Sequence, residues 1–275
     1  VETGLKIEYF KSNWEVAQLP IDAFASKVRS DGFDGAEVYL AARAETASDI
    51  RAATVDSGIQ LIAQVITEGS SPIMHIDSFA RQVDMAVACG ACAINSHTGS
   101  DFFPFDKNVE LFEQCDRLAR SAGLPLWHET HRGRALFNLP DTIRFLDALP
   151  HLEIVADISH FMTVHESHLE DRWEMLRVLL PRIRHVHARV GFMEGPQVSQ
   201  PLLPEWEPVL NIYLRFWTEA VQYASAAGMA RFTITPEAGP PPYMPTIPFT
   251  NLPLADAWHV NVQMRDHLRA KLKST

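Results

Sequence analysis

The chain has 275 residues, 47% hydrophobic and 21% charged, the balance of a globular protein with a sizeable core rather than of a disordered or membrane-spanning one. Its formal charge of -10 argues against a polyanionic partner such as nucleic acid, whose binders usually carry a basic face. Three cysteines, Cys89, Cys92 and Cys115, give no disulfide framework and suit a reducing compartment.

Short apolar runs alternate with amphipathic stretches along the whole chain. A strand over 4–10 precedes a helix over 21–29, 35–40 precedes 47–57, 58–65 precedes 75–88, and 91–96 precedes 108–122. The second half repeats the scheme: 125–129 precedes 140–148, 152–158 precedes 168–180, 183–190 precedes 207–227, and 231–235 precedes 254–272. Gly58, Gly90, Gly123 and Gly228 each follow a helical stretch, where a left-handed cap is expected. Eight strand–helix alternations predict an α/β fold, a single (β/α)8 barrel domain over residues 1–275. An open dinucleotide-binding sheet would need a G-x-G-x-x-G turn, which is absent.

Two long loops, 193–205 and 236–253, follow the seventh and eighth strands; the second is proline-rich and suits a stiff polyproline-like surface loop or a wall or lid at the barrel mouth. Cys89 and Cys92 form C-x-x-C but no second Cys/His pair accompanies them, so they read as small packing residues. No run of about 18 apolar residues and no secretory leader pattern is present, so a cytoplasmic protein with no membrane partner is expected.

A barrel's chemistry sits at the C-terminal ends of its strands. Glu129 ends the fifth strand in W-H-E-T-H, with Trp127 and His131 on its face, and Asp157 follows the apolar run of the sixth. His185, His187 and Arg189 share one face of the seventh strand, Glu237 follows the eighth, and Asn95 and His97 share a face of the fourth. Three carboxylates converging on one mouth repel one another, and burial raises the cost. Either they hold a cation or arginines neutralise them, with Arg132, Arg134 and Arg189 as candidates. Glu129, Asp157, Glu237 and the imidazole of His187 form a donor set suited to one divalent ion: Mn2+, Co2+, Mg2+ or Zn2+.

Glu129 in W-H-E-T-H-R-G-R, Asp157 in V-A-D-I-S-H-F, His187 in R-H-V-H-A-R and Glu237 in T-P-E-A-G resemble the xylose-isomerase-like TIM-barrel superfamily of sugar isomerases and epimerases, the AP endonuclease 2 type. The likeness spans most of the chain in order and spacing. It implies that these four residues hold one metal ion and that Glu129 and Glu237 also move protons on opposite faces of a sugar or polyol. His160, three residues after the aspartate, would contact a substrate oxygen. His97, His131 and Arg189 complete the candidate substrate-binding set. The resemblance further implies a homo-oligomer.

Departures from the family pattern are local. Arg189 and Val190 stand where the family often has Lys and Asp, and Met193 and Ala135 stand where the ketose 3-epimerases have Arg and Glu. The expected activity is a metal-dependent isomerase or epimerase of a polyol, ketose or keto acid, working through an enediolate. A dehydratase of the inosose or 3-dehydroshikimate type is the alternative; a non-catalytic sugar-binding barrel and an endonuclease IV-like enzyme are the remaining readings. Trp14, Phe102, Phe103 and Phe161 are candidates for an apolar wall.

Overall fold

A computed structural model describes residues 4–272. Eight parallel strands close into a barrel: β1 (Lys6–Ser12), β2 (Gly35–Tyr39), β3 (Gln60–Ile66), β4 (Ala93–His97), β5 (Leu126–Glu129), β6 (Ile154–Ala156), β7 (Ile183–Ala188) and β8 (Arg231–Pro236). Closure runs through β1 and β8, with Lys6 opposite Arg231 and Tyr9 opposite Ile234. Strands covered by helices on one side and plugged on the other are buried on both faces, so they read as continuous apolar runs rather than as alternation.

The outer layer is α1 (Ile21–Ser30), α2 (Ala47–Ala53), α3 (Pro72–Cys89), α4 (Phe105–Ser121), α5 (Leu139–Ala148), α6 (Ile158–Val164), α7 (Trp173–Arg177), α8 (Glu207–Ala226) and α9 (Ala257–Lys271). Among the described residues no helix is long and apolar enough to cross a membrane. Gly58, Gly90, Gly123 and Gly228 all have positive φ, as the helix-end reading expected. The main core lies between strands and helices. A separate small cluster of Phe10, Ile62 and Ala93, with Trp127 against it, draws on β1, β3, β4 and β5 and fills the barrel. Gly35 leaves room for it: a Cβ there would lie 2.2 Å from Cε1 of Phe10.

Three elements differ from the sequence reading. The sixth strand stops at Ala156, because the Asp157 side chain caps a helix that starts at once; its Oδ1 accepts from the backbone N–H of Ser159 at 2.9 Å. The helix expected over 168–180 is broken accordingly, into a left-handed Leu169 (φ 58°), a 3-10 turn at Glu170–Arg172 and the short α7. The last helix begins at Ala257 rather than 254, where Asp256 accepts from the backbone of His259 at 3.0 Å.

Candidate metal centre

The strand ends bring Glu129, Asp157, His187 and Glu237 together. One donor atom from each lies within 4.8 Å of the other three, and all four residues are buried. Glu129 ends β5 and His187 sits in β7, while Asp157 and Glu237 directly follow β6 and β8. The donors therefore come from four adjacent strands on one side of the barrel mouth.

His187 is held by a residue the sequence reading passed over. Glu37, in β2, is 1% exposed. Both its oxygens lie 3.0 Å from Nε2 of His187, and it also accepts from Asn95 Nδ2 at 2.7 Å and Thr235 Oγ1 at 2.8 Å. Burial alone would raise the Glu37 pKa, but His187 and His185 beside it hold it well below the usual carboxylate range. An ionised Glu37 can only accept, so the His187 proton on this side is fixed at Nε2. In the neutral imidazole that leaves the Nδ1 lone pair facing the acids: Nδ1 lies 3.0 Å from Glu237 Oε2 and 3.5 Å from Glu129 Oε2, and is aligned for a hydrogen bond with neither. Burial opposes the His187 charge but Glu129, Glu237 and Glu37 overcome it, and the imidazole pKa is raised well above its ordinary value.

Glu129 is tied down on one oxygen only. Its Oε2 accepts from Asn95 Nδ2 at 2.8 Å and lies 2.7 Å from His97 Nε2, while its buried Oε1 has no partner. Burial pushes its carboxyl up, and His187 and His97 more than reverse that, holding it well below the usual range. Asp157 is the opposite case: burial raises its pKa, Glu237 and Glu129 add to the rise, and Arg189 only partly offsets them.

Of the three arginines weighed as neutralisers, only Arg189 acts so. Its Nη2 donates to Asp157 Oδ2 at 2.8 Å and Glu237 Oε2 at 2.7 Å, and its Nε donates to Asp157 Oδ2 at 3.0 Å. Arg189 thus covers one flank of the acid cluster. Glu129 Oε1 and His187 Nδ1, which Arg189 does not reach, have no hydrogen-bond partner among the described residues.

Above the cluster opens a cavity of about 320 Å³, lined among others by His97, His131, Arg189, Glu237, Trp14 and Tyr243. His131 stacks on His97 with ring centroids 4.6 Å apart. Its Nδ1 donates to the carbonyl of Arg132 at 2.6 Å, and burial, helped by His97, lowers its pKa well below normal, so Nε2 is a neutral acceptor. His160 is fully buried behind it, 3.9 Å between ring centroids, and does not line the cavity. The proline-rich loop contributes Tyr243, whose ring meets Trp14 edge-on at 4.9 Å. Trp14 lies against Gly239, where a Cβ would come within 2.1 Å of its ring. The other expected wall aromatics are elsewhere: Phe102 is 91% exposed, Phe103 packs on His75 and Phe161 belongs to the outer core. An aromatic after a strand carries no sign of direction in the sequence, which is why that reading fails for them. Two further groups, Glu37–His185–His187 and His97–Glu129–His131, have donor atoms close enough to share an ion; both reuse residues of the main centre or its supports. The three cysteines are free thiols.

Comparison with known proteins agrees with this architecture. The sequence matches no curated protein. In fold, the chain is similar to D-allulose 3-epimerase from Methylomonas sp. (12% identity, 98% of this chain and 99% of that one, TM-score 0.67). It is similar to endonuclease IV from Thermus thermophilus (15% identity, 96% and 99%, TM-score 0.62). It is also similar to a xylose isomerase-like TIM barrel protein from Mycobacterium smegmatis in complex with magnesium (16% identity, 98% and 96%, TM-score 0.64). Identities this low establish a shared fold and leave the activity to the site. A family model described as xylose isomerase-like TIM barrel matches residues 25–192, more than half of the sequence, and the chain belongs to that family.

Proposed function

We propose that this chain is a divalent-metal-dependent isomerase or epimerase of a carbonyl-bearing sugar or polyol. One observation carries the reading: four buried donor atoms within 4.8 Å of one another, with Glu129 Oε1 and His187 Nδ1 lacking a hydrogen-bond partner among the described residues. Each buried polar atom left unpaired costs about 1–3 kcal/mol, a cost that a cation between them removes. Three carboxylates and one imidazole suit Mn2+, Co2+, Mg2+ or Zn2+. When bound there, such an ion supplies the charge that polarises a substrate carbonyl and stabilises the enediolate left by proton loss.

The protein's own groups supply the rest. Glu237 lines the cavity and Glu129 lies beneath it, three strands away around the barrel. In this reading they act from two sides, one removing the proton next to the carbonyl and the other returning it. His97 and Asn95 occupy Oε2 of Glu129, which keeps Oε1 turned to its task. The neutral Nε2 of His131 accepts from a substrate hydroxyl, and Trp14 and Tyr243 wall the site against water.

The test is uptake of solvent deuterium into a panel of sugars and keto acids with added Mn2+. Replacing Glu237 with Gln should lower that uptake at least about a hundredfold, the lower range for removing a general base. Undiminished uptake would remove Glu237 from the mechanism. A product with new conjugated absorbance would assign the chain to the dehydratases that share such a site. Absence of bound metal after dialysis against Mn2+ would overturn the reading as a whole.

A further inference from the structure

Guanidinium groups at the cavity have hydrogen-bond donors that the protein does not use. Arg189 is 3% exposed, and while its Nε and Nη2 are engaged with Asp157 and Glu237, its buried Nη1 has no hydrogen-bond partner among the described residues. The group is held in place by two aromatic faces, with Cζ 5.6 Å from the Trp14 ring centre and 4.9 Å from that of Tyr243. Arg134 lines the same cavity. Its one side-chain hydrogen bond runs from Nη1 to the carbonyl of Thr67 at 2.8 Å, and it pairs with no carboxylate among the described residues. A third cavity arginine shows the contrast: Arg43 is fully spent on Glu45 and on the carbonyls of Ala17 and Leu19.

A guanidinium drawn out of water with donors left over is a costly arrangement unless something arrives to meet it. A neutral sugar offers hydroxyls, which satisfy a guanidinium weakly. A carboxylate or phosphate offers the planar, charged acceptor geometry that a guanidinium fits bidentately. Trp14, Tyr39, Ile66 and Tyr243 supply apolar surface for a carbon skeleton alongside. The volume, about 320 Å³, is at the small end of the range for small-molecule sites, roughly 300–1,000 Å³.

We infer that the substrate is an acidic polyol, a sugar acid or sugar phosphate of about six carbons, whose anionic group is received by Arg134 beside the fixed positive charge of Arg189 while its carbonyl end faces Glu129 and Glu237. This rests on the function proposed above, since the cavity is that reading's substrate site, and it narrows the substrate to anions.

Binding to matched series separates the possibilities. D-Glucose would be compared with D-glucuronate and D-glucose 6-phosphate, and D-fructose with D-fructuronate and D-fructose 6-phosphate, by isothermal titration and by quenching of tryptophan fluorescence. Each series is run on Mn2+-loaded and on chelator-treated protein. At least one acid should bind tenfold or more tighter than its neutral parent, and the preference should persist without metal because arginines carry it. Preference for the uronate identifies a carboxylate substrate and preference for the sugar phosphate a phosphorylated one; either supports the inference. Arg134→Gln should bring the acid's affinity down toward the neutral sugar's, and Arg134→Lys should restore part of the difference. Circular dichroism and bound Mn2+ in each variant report whether the fold and the metal centre survive. If no acid binds better than its parent, or if Arg134→Gln leaves the preference whole, the inference is overturned. Failure to bind Mn2+ with the anion preference intact would instead count against the metal reading alone.

Discussion

Replacing Glu37 with Gln should weaken divalent-metal binding without removing any metal ligand. Glu37 is nearly isosteric with Gln, so the packing of β2 is kept and the change is one of charge and proton placement. Three donors converge on the native carboxylate: His187 Nε2–H, Asn95 Nδ2–H and Thr235 Oγ1–H. An amide offers one acceptor oxygen and one NH2, so its NH2 must face a donor. If it faces His187, the imidazole proton is driven to Nδ1, where it blocks the ion; if it faces Thr235, His187 keeps its tautomer but loses the full negative charge behind it. Outer-shell partners of metal-bound histidines typically account for about 10- to 100-fold in affinity, or about 1.4–2.7 kcal/mol. The assay is Mn2+ titration against a competing chelator, with thermal melting of the metal-free protein as a check on the fold. Affinity within about twofold of the unsubstituted protein would refute the tautomer argument, because neither orientation of the amide should leave Nδ1 equally basic.

Two other perturbations follow from packing and burial. Gly35→Ala drives a methyl into Phe10, whose Cε1 would be 2.2 Å away; overpacking of this kind costs about 1–3 kcal/mol, and an unchanged urea midpoint would show that the barrel filling is loose. Burial pushes the Cys89 thiol up to about 11 and raises that of Cys92 as well. Both should therefore alkylate slowly in the native protein at neutral pH, and the double change to Ser should leave bound Mn2+ unchanged; a fall in metal content would return the C-x-x-C pair to the site.

The four candidate ligands are legible because a charged or imidazole side chain closing an apolar run has no place in a barrel interior without a partner. Glu37 breaks the same rule and is easily missed. Ala36 and Val38 flank it inside a five-residue strand, so the segment reads as one apolar run. The usable signal is a lone carboxylate in mid-strand, where burial has to be offset by donors from other strands. His160 is the reverse case. Three residues after Asp157 it suggests a substrate contact, but that spacing falls on α6, which the Asp157 cap starts early and which buries the ring behind His131. Contacts that depend on long loops, such as Tyr243 on Trp14, have no periodic pattern to give them away.

Arg189 raises the question of how a guanidinium and a metal ion serve one set of oxygens. Asp157 Oδ2 and Glu237 Oε2 both lie within hydrogen-bond range of its Nη2, and burial makes these charge-assisted bonds worth more than surface ones. In the metal-free protein Arg189 is the fixed cation that keeps two repelling carboxylates together. An ion binding to the same carboxylates supplies part of what Arg189 supplied, so their stabilising effects should overlap rather than add. Arg189→Lys keeps one charge but forfeits the second donor to Asp157 and the stacking against Trp14 and Tyr243. Loss of one charge-assisted hydrogen bond, about 1.5–3 kcal/mol, should lower the melting temperature of the metal-free variant by about 3–5 °C for a chain of this size. Saturating Mn2+ should then raise the variant's melting temperature by more than it raises that of the unsubstituted protein. An equal or smaller rise would mean that the ion and the guanidinium do not share those oxygens. The metal would then have to engage the centre through Glu129 Oε1 and His187 Nδ1, the two atoms that Arg189 never touches.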